Sequence, residues 1–575
     1  GRMTGQRRES PAEEGRALMV RESGPAASLS EQLAGLFYKL TWRTPLHNMR
    51  LTGKLPPRLY AVPDDPLPGD PVRGDALRAG RFLFRGIKLP FDKVEDRLEK
   101  LPSDFQNYIH RFAWLRDLAA VVSRAQGTET AERLMDAWLD HHGMKVAEPA
   151  WRADNCAWRF VNWAAHAPYI LSSSDLIYRS RVLNAIARNA RHLDRAAQRA
   201  PEGRHRLVAW AGLVAAALLI PDGKARKIVG EAGLEKAIAS AIFPDGGIVS
   251  RSPLALVEAI HMLSLLRDAY GKRKEMVPAF IDQALERAVP ALTGLTHADG
   301  GLGAWQGSGV FPPDELNALI GASGVRARPA RQARDWGYQR VTAGRSVLQL
   351  DAAPPPLARE SAVGCASTLA LEFSHGPDRI IVNCGGAALV GKHVSQGLAT
   401  GLRSTAAHST LCLADSNSTS ILPGGKLGRG VEEVELDRRE GENATRIEAS
   451  HDGYSRTFGF VHRRLLMLRD DGMELRGEDM LLPAGSKRKK TEATPFVLRF
   501  HLGDGIEAQA TENGAIIAPP VPAFYARPKS LEEMVTQSCA RVLDLFDIDL
   551  PETARWGDPE ASNQIPVTGK PKNRD

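Results

Sequence analysis

Two short stretches bring together side chains that could hold an anion and move a proton. Arg204 and His205 follow Pro201-Glu-Gly and open an apolar run, and in Arg403-Ser-Thr-Ala-Ala-His-Ser-Thr an arginine precedes His408. A guanidinium binds a carboxylate through two parallel hydrogen bonds. An imidazole within reach of a substrate proton can act as general acid or base. Trp163, Trp210 and Trp305 offer flat apolar faces on which a sugar ring could stack. Each residue also has a structural reading. Arg204 and His205 could be a solvated helix start, Arg403 and His408 could pack a domain interface, and the tryptophans, with His166, could fill the core. The residue types alone leave both readings open. Two Asp-Gly-Gly loops, at Asp245 and Asp299, read as tight turns at helix ends.

The totals narrow the classes of partner. A formal net charge of +7 favours acidic partners, either uronate polysaccharide or nucleic acid. The basic run Lys487-Arg-Lys-Lys490 lies between strand-like segments and suits an exposed loop, and no nucleic-acid motif accompanies it, so nucleic acid is not expected. The five cysteines are scattered, with no C-x-x-C pair, so neither a zinc site nor a disulfide framework is suggested. The longest apolar run, Leu207–Ile220, reads as a buried helix and no membrane span is expected. No secretory signal is visible at the start of the sequence.

A chain of 575 residues has room for two to four domains. Residues 1–28 are polar and rich in Gly, Pro and Glu, and are expected to be disordered. From 29 to about 335 the apolar spacing is helical, in segments such as Phe105–Val122, Thr128–His141, Ala157–Leu171, Leu207–Ile220 and Leu254–Ala269. Repeated helical hairpins of similar length suggest an incomplete (α/α) toroid. Between about 340 and 509, alternating runs such as Ser367–Phe373, Arg379–Asn383 and Arg446–Ser450 are broken by regular turn signals, which favours an antiparallel β-sandwich. The order is therefore multidomain, α then β.

Three motifs give this order a resemblance. Phe243-Pro-Asp-Gly-Gly-Ile-Val-Ser-Arg-Ser-Pro-Leu is similar to the "DG…E-x-S-P-x-Y-H" loop of the heparinase II/III-type polysaccharide lyases. Ala366-Ser-Thr-Leu-Ala-Leu-Glu-Phe sits where that family carries an "H-x-H-x-D-x-L-S-F-E-L" strand, and Arg403–Thr410 resembles its "R-x-T-x-A-H-N-T" segment. Arg111-Phe-Ala-Trp and Arg159-Phe-Val-Asn-Trp add weaker likeness, and the resemblance covers residues 80 to 509. It implies β-elimination at a uronate: the carboxylate is neutralised, a base takes the C5 proton, and an acid protonates the leaving O4.

The matching positions depart from that pattern. Ala255 stands at the family's tyrosine and Leu256 at the following histidine. Cys365 stands at a strand histidine, Ser367 at an aspartate, and Arg204 at the asparagine beside His205. Transferred position by position, the candidates are His205 and His408 as acid–base groups, with Arg204, Arg403, Trp163 and Trp210 on the substrate. No cofactor is expected.

The ending resembles something else. Ala510-Thr-Glu-Asn-Gly-Ala-Ile-Ile-Ala-Pro-Pro-Val-Pro-Ala-Phe-Tyr-Ala-Arg-Pro is similar to the C-terminal end of bacterial flavin prenyltransferases, a likeness covering 510–557. It implies that Tyr525 and Arg541 are remnants of a prenyl-phosphate site. The flavin-binding βα unit of those enzymes is missing, so activity from this tail is not expected. The β-sandwich would then stop short near Gln509, by fusion or frameshift, with 558–575 disordered.

Two functions follow as expectations. One is a lyase-like enzyme cleaving acidic polysaccharide; the other is a non-catalytic glycan-binding or envelope-related protein on the same scaffold. The resemblance implies a periplasmic or envelope location, and the absent export signal implies the cytoplasm.

Overall fold

The computed structural model describes residues 16–21, most of 33–57, and 58–506 apart from 222, 310, 391 and 486–493. Contacts divide the chain into two compact units, Gly1–His501 and Leu502–Asp575. Nearly all of the second lies outside the described residues. The tail segments 510–557 and 558–575, with Tyr525 and Arg541, lie there too, as does the basic run 487–490.

From residue 103 to 323 the first unit is helical. Its main helices are α1 (Ser103–His110), α2 (Trp114–Val121), α3 (Arg124–Trp138), α4 (Ala153–Ala165), α5 (Leu176–Ala196), α6 (Arg204–Leu219), α7 (Lys224–Ala241), α8 (Pro253–Lys272), α9 (Ala279–Thr293) and α10 (Pro313–Ser323). Helix α6 is the hub. Every residue from Leu207 to Leu219 is buried, and α6 packs against α4, α7 and α8. Its approach to α4 depends on Gly212, where an added Cβ would lie 2.4 Å from the Ala157 Cβ and 2.6 Å from its Cα. A helix this apolar on all sides is the signature of a core element. Among the described residues no helix is long and apolar enough to cross a membrane.

Periodicity suggested one helix over Phe105–Val122; the structure breaks it. Phe112 adopts φ +58°, a left-handed conformation in which an α-helix cannot continue, so α1 ends and α2 starts two residues later. The expected helix over Thr128–His141 likewise gives way at Leu139–Gly143 to a wider π turn.

The β part begins with a strand from the far end of the sequence. Arg16–Val20 (β1) lies within the segment expected to be disordered, yet it pairs antiparallel with Glu433–Glu440. The longer remaining strands are β2 (Tyr338–Ala343), β3 (Ser346–Asp351), β4 (Leu371–His375), β5 (Asp378–Val382), β6 (Leu411–Leu413), β7 (Glu433–Glu440), β8 (Ala444–His451), β9 (Phe460–Arg469), β10 (Leu475–Pro483) and β11 (Phe496–Leu498). One sheet runs β1-β7-β8-β9-β10; the other contains the run β5-β4-β3-β2; β6 pairs with β11. Val341, Leu348, Leu371 and Phe373 of one sheet meet Val434, Leu436, Ile447 and Leu466 of the other, the core of an antiparallel sandwich.

Burial along the strands shows what covers each face. Strand β8 alternates buried and half-buried residues, as a strand with one solvated face should. All six residues of β3 are buried. Its second face is covered by the helical part: Trp305 donates to Gln349 Oε1 at 2.8 Å, and the helical core continues into Trp336 and Tyr338. The helical core thus extends onto one face of this sheet, while the inter-sheet core lies on the other.

A buried ion pair joins the helical and β parts. Arg251, in the loop before α8, donates to Asp351 Oδ1 at 2.8 Å and to Trp336 O at 2.7 Å. The other oxygen of Asp351 accepts from Ser367 Oγ at 2.7 Å and Gln306 Nε2 at 3.2 Å. Both charged side chains are almost fully buried, at 4% and 0% exposure. Removing one partner of such a pair leaves the other uncompensated in a low-dielectric interior. Asp351→Ala is therefore expected to lower unfolding free energy by about 3–5 kcal/mol, measured by urea denaturation, and to release the helical and β parts together.

Candidate functional site

The N-terminal ends of α4, α6 and α8 converge with the break between α1 and α2, and each contributes a charged residue. Asp154 opens α4, Arg204 and His205 open α6, Glu258 lies on the second turn of α8, and Arg111 leaves the end of α1. Arg111 donates to Glu258 Oε1 at 2.9 Å and to Asp154 Oδ2 at 2.6 Å, so one guanidinium bridges two carboxylates. Arg204 pairs with the other oxygen of Glu258. Arg152 holds Asp154 with two bonds, at 2.5 and 2.8 Å. His205 Nδ1 lies 3.3 Å from Asp154 Oδ2, and Trp158 Nε1 donates to Glu258 at 2.8 Å.

The electrostatics are those of an anion site with a built floor. Burial opposes the charge on Glu258, yet Arg204 and Arg111 hold its carboxyl down to about 2. Asp154, also desolvated, is held well below the usual carboxylate range by Arg152, His205 and Arg111. Three arginines against two ionised carboxylates leave one formal positive charge. Arg204 stands at the mouth with its side chain 34% exposed, next to His205 at 29%, while Asp154 beneath is 2% exposed.

Glu360 closes the site from the β side. Gly203, at φ +74°, lets the chain pass so close that an added Cβ would lie 2.6 Å from Glu360 Oε2. Burial pushes the Glu360 carboxyl up to about 7, against the pull of Arg359, Arg204 and Arg206. A carboxyl poised near neutrality beside a cationic cluster is equipped to exchange a proton there.

The residues singled out in the sequence fall into separate places. Arg204 and His205 sit together in the cluster. Arg403 and His408 do not join them as exposed groups. Arg403 is buried and donates to Gly364 O at 2.7 Å and Ser361 O at 2.9 Å, which pins the loop after Glu360. His408 is 0% exposed, with Nδ1 2.7 Å from Ser404 O, and its Nε2 is sealed from solvent, so it is corrected from an acid–base group to an interior side chain. Trp163 and Trp210 are corrected likewise. Trp163 packs edge-on against Phe112 and Trp138, and the Trp210 ring lies against Gly233, so neither has a face open to a sugar. Cys365 is buried, and burial pushes its thiol up to about 12, too weakly acidic for proton transfer at neutral pH.

Glu258, Asp154 and Glu360 were not singled out in the sequence. One signal for Glu258 was present, since it follows Ala255 by three residues and so shares that helix face.

Comparison with known proteins agrees with this architecture. The family described as "Heparinase II/III-like, C-terminal" matches residues 325–573, further than the 509 at which the resemblance was expected to stop. "FtsZ-localized protein C" of Caulobacter vibrioides is 30% identical over 489 residues, covering 81% of this chain and 82% of that protein. A solved structure of Heparinase III covers 78% of this chain and 79% of its own, at 13% identity and a TM-score of 0.50, a likeness of fold. "Flavin prenyltransferase UbiX" of Thauera aromatica is 53% identical over 58 residues, but this chain spans only 30% of that enzyme. The chain belongs to the same family as FtsZ-localized protein C; its residues 325–573 match the heparinase II/III-like C-terminal family, and its fold is that of a heparinase.

Proposed function

We propose that this protein binds an acidic, uronate-type polysaccharide, with the sugar carboxylate taken by Arg204 at the mouth of the Asp154–Glu258 cluster. The observation that carries this reading is an arginine side chain about one-third exposed at the mouth of a cluster with net positive charge, braced by a buried carboxylate floor. If the helical part is an incomplete toroid, the cluster stands at the end of its cleft, facing the β domain through Glu360. The binding reading is preferred to the family's elimination chemistry because Ala255 bears no proton and Cys365 and His408 are buried. A second reading rests on Glu360, whose carboxyl lies near neutrality and feels the charge of Arg204, so elimination by a different set of residues is the alternative.

Binding should be read by calorimetry against heparin, alginate and polygalacturonate, with product absorbance in the ultraviolet followed in parallel. Arg204→Ala is expected to weaken binding about ten- to a hundred-fold, the loss of a charge-assisted hydrogen bond, with a shallower salt dependence. Absence of binding to every acidic glycan would remove the first reading. Absence of unsaturated product from all of them would remove the second.

Glu360 gives the pH dependence a definite sign. Below about pH 7 its carboxyl is neutral and the cluster keeps its positive charge; above that pH the carboxylate cancels it. Affinity for an acidic glycan is expected to fall several-fold as pH rises through 7, and Glu360→Gln to flatten that fall.

The relative named for its localisation with FtsZ supports a further proposal, that this chain acts at the division site. A fluorescent fusion spread evenly over the envelope or the cytoplasm of dividing cells would count against it.

A further inference from the structure

We infer that the helical part holds a second binding site, distinct from the arginine cluster, for a small uncharged bicyclic or aromatic-ring ligand bearing one hydrogen-bonding group. A cavity of about 240 Å³ opens between α1, α3, the π turn Leu139–Gly143 and the segment Ala147–Ala150. Its walls are aromatic. Phe82 lies edge-on to Phe91 at 5.0 Å and to Trp114 at 6.0 Å, and Phe112 lies edge-on to Trp138 at 5.4 Å. A cavity of about 150 Å³ lined by apolar side chains accepts benzene, so this one has room for two fused rings.

Two histidines at its lining are placed for a hydrogen bond. His110 and His142 meet edge to face, with ring centroids 4.9 Å apart. Trp138 Nε1 donates to His110 Nδ1 at 3.2 Å, which makes that nitrogen the acceptor and leaves the N–H on Nε2. Burial, with the charge of Arg159 opposing protonation, lowers both histidines, His142 to about 4, and His142 further opposes protonation of His110. Charged groups face the cavity from the other lining elements: Glu95 and Glu99 from the segment before α1, His141 and Lys145 from the π turn and the residues after it, and Glu148. Glu95 is already paired with His141. Two imidazoles held neutral by burial in an aromatic wall favour a neutral ring with one hydrogen-bonding group over an ion.

Two backbone departures built this cavity. Phe112 is held at φ +58° and the π turn widens the helix under His142, both conformations that persist only where surrounding contacts impose them. The same backbone forms the wall of the arginine cluster. Pro149 O accepts from Asn155 Nδ2 at 2.9 Å, and Asn155 Oδ1 accepts from Arg111 Nε at 2.7 Å.

The test is calorimetry of the full chain with 2-naphthol, whose two rings and single hydroxyl match the cavity. Saturable one-to-one binding is expected. Ala137→Trp, at an exposed lining position, should lower the affinity at least ten-fold, and His142→Phe several-fold, with circular dichroism and melting unchanged. No saturable heat with 2-naphthol in the wild-type protein would overturn the inference, as would binding unchanged by His142→Phe, which stands alone if Ala137→Trp does not fold. Retention of 2-naphthol binding by Arg204→Ala is expected and separates this site from the glycan reading.

Discussion

Arg111 touches both buried carboxylates at once, and the helical part's functional end is organised by that bridge. Asp154 and Glu258 come from helices that start a hundred residues apart in sequence, and neither could stay ionised at this depth without cationic partners. Their shared arginine fixes where α4 and α8 begin relative to each other. Arg204, drawn to the remaining oxygen of Glu258, fixes the start of α6 in turn. The helix that serves as hub of the core is thus registered at one end by charge and along its length by apolar packing. The two kinds of force act on different residues, so the mouth can vary in chemistry while the barrel of side chains below it stays the same.

A comparable division holds where the helical and β parts meet. Arg251 and Asp351 satisfy one another and a set of backbone carbonyls, while Trp305, Trp336 and Tyr338 supply the apolar area around them. Because β3 is buried on both faces, its sheet is a middle layer between the other sheet and the helical part. Glu360 and the loop pinned by Arg403 extend from that layer towards α6, so the candidate site is assembled by both parts.

The sequence made the periodic elements legible and the exceptions illegible. Strands at 346–351, 371–375 and 444–451 announced themselves by alternation between turn signals, and α6 by its length of uncharged residues. The break at Phe112 carried no such mark, because a bulky residue in left-handed conformation is held by tertiary contacts that no local pattern encodes. Arg204 and His205 could be named from their types and position. Their partners could not, since Glu258 lies 54 residues further along and only the fold brings it near. For His408, Trp163 and Trp210 the residue type was suggestive and the environment decisive: each is chemically able, and each is walled in.

The pairing of β1 with β7 bears on how the molecule is made. Arg16 and Glu435 are 419 positions apart, so during synthesis the first strand emerges long before its neighbour exists. At roughly 5–20 residues per second, the wait is on the order of 20–80 s. Throughout it, Leu18 and Val20 have no sheet to join, and the edge of β7 in turn stays open until they arrive. Closure of the five-stranded sheet is therefore among the last events of folding, and the nascent chain is most exposed to mispairing or chaperone capture at β1.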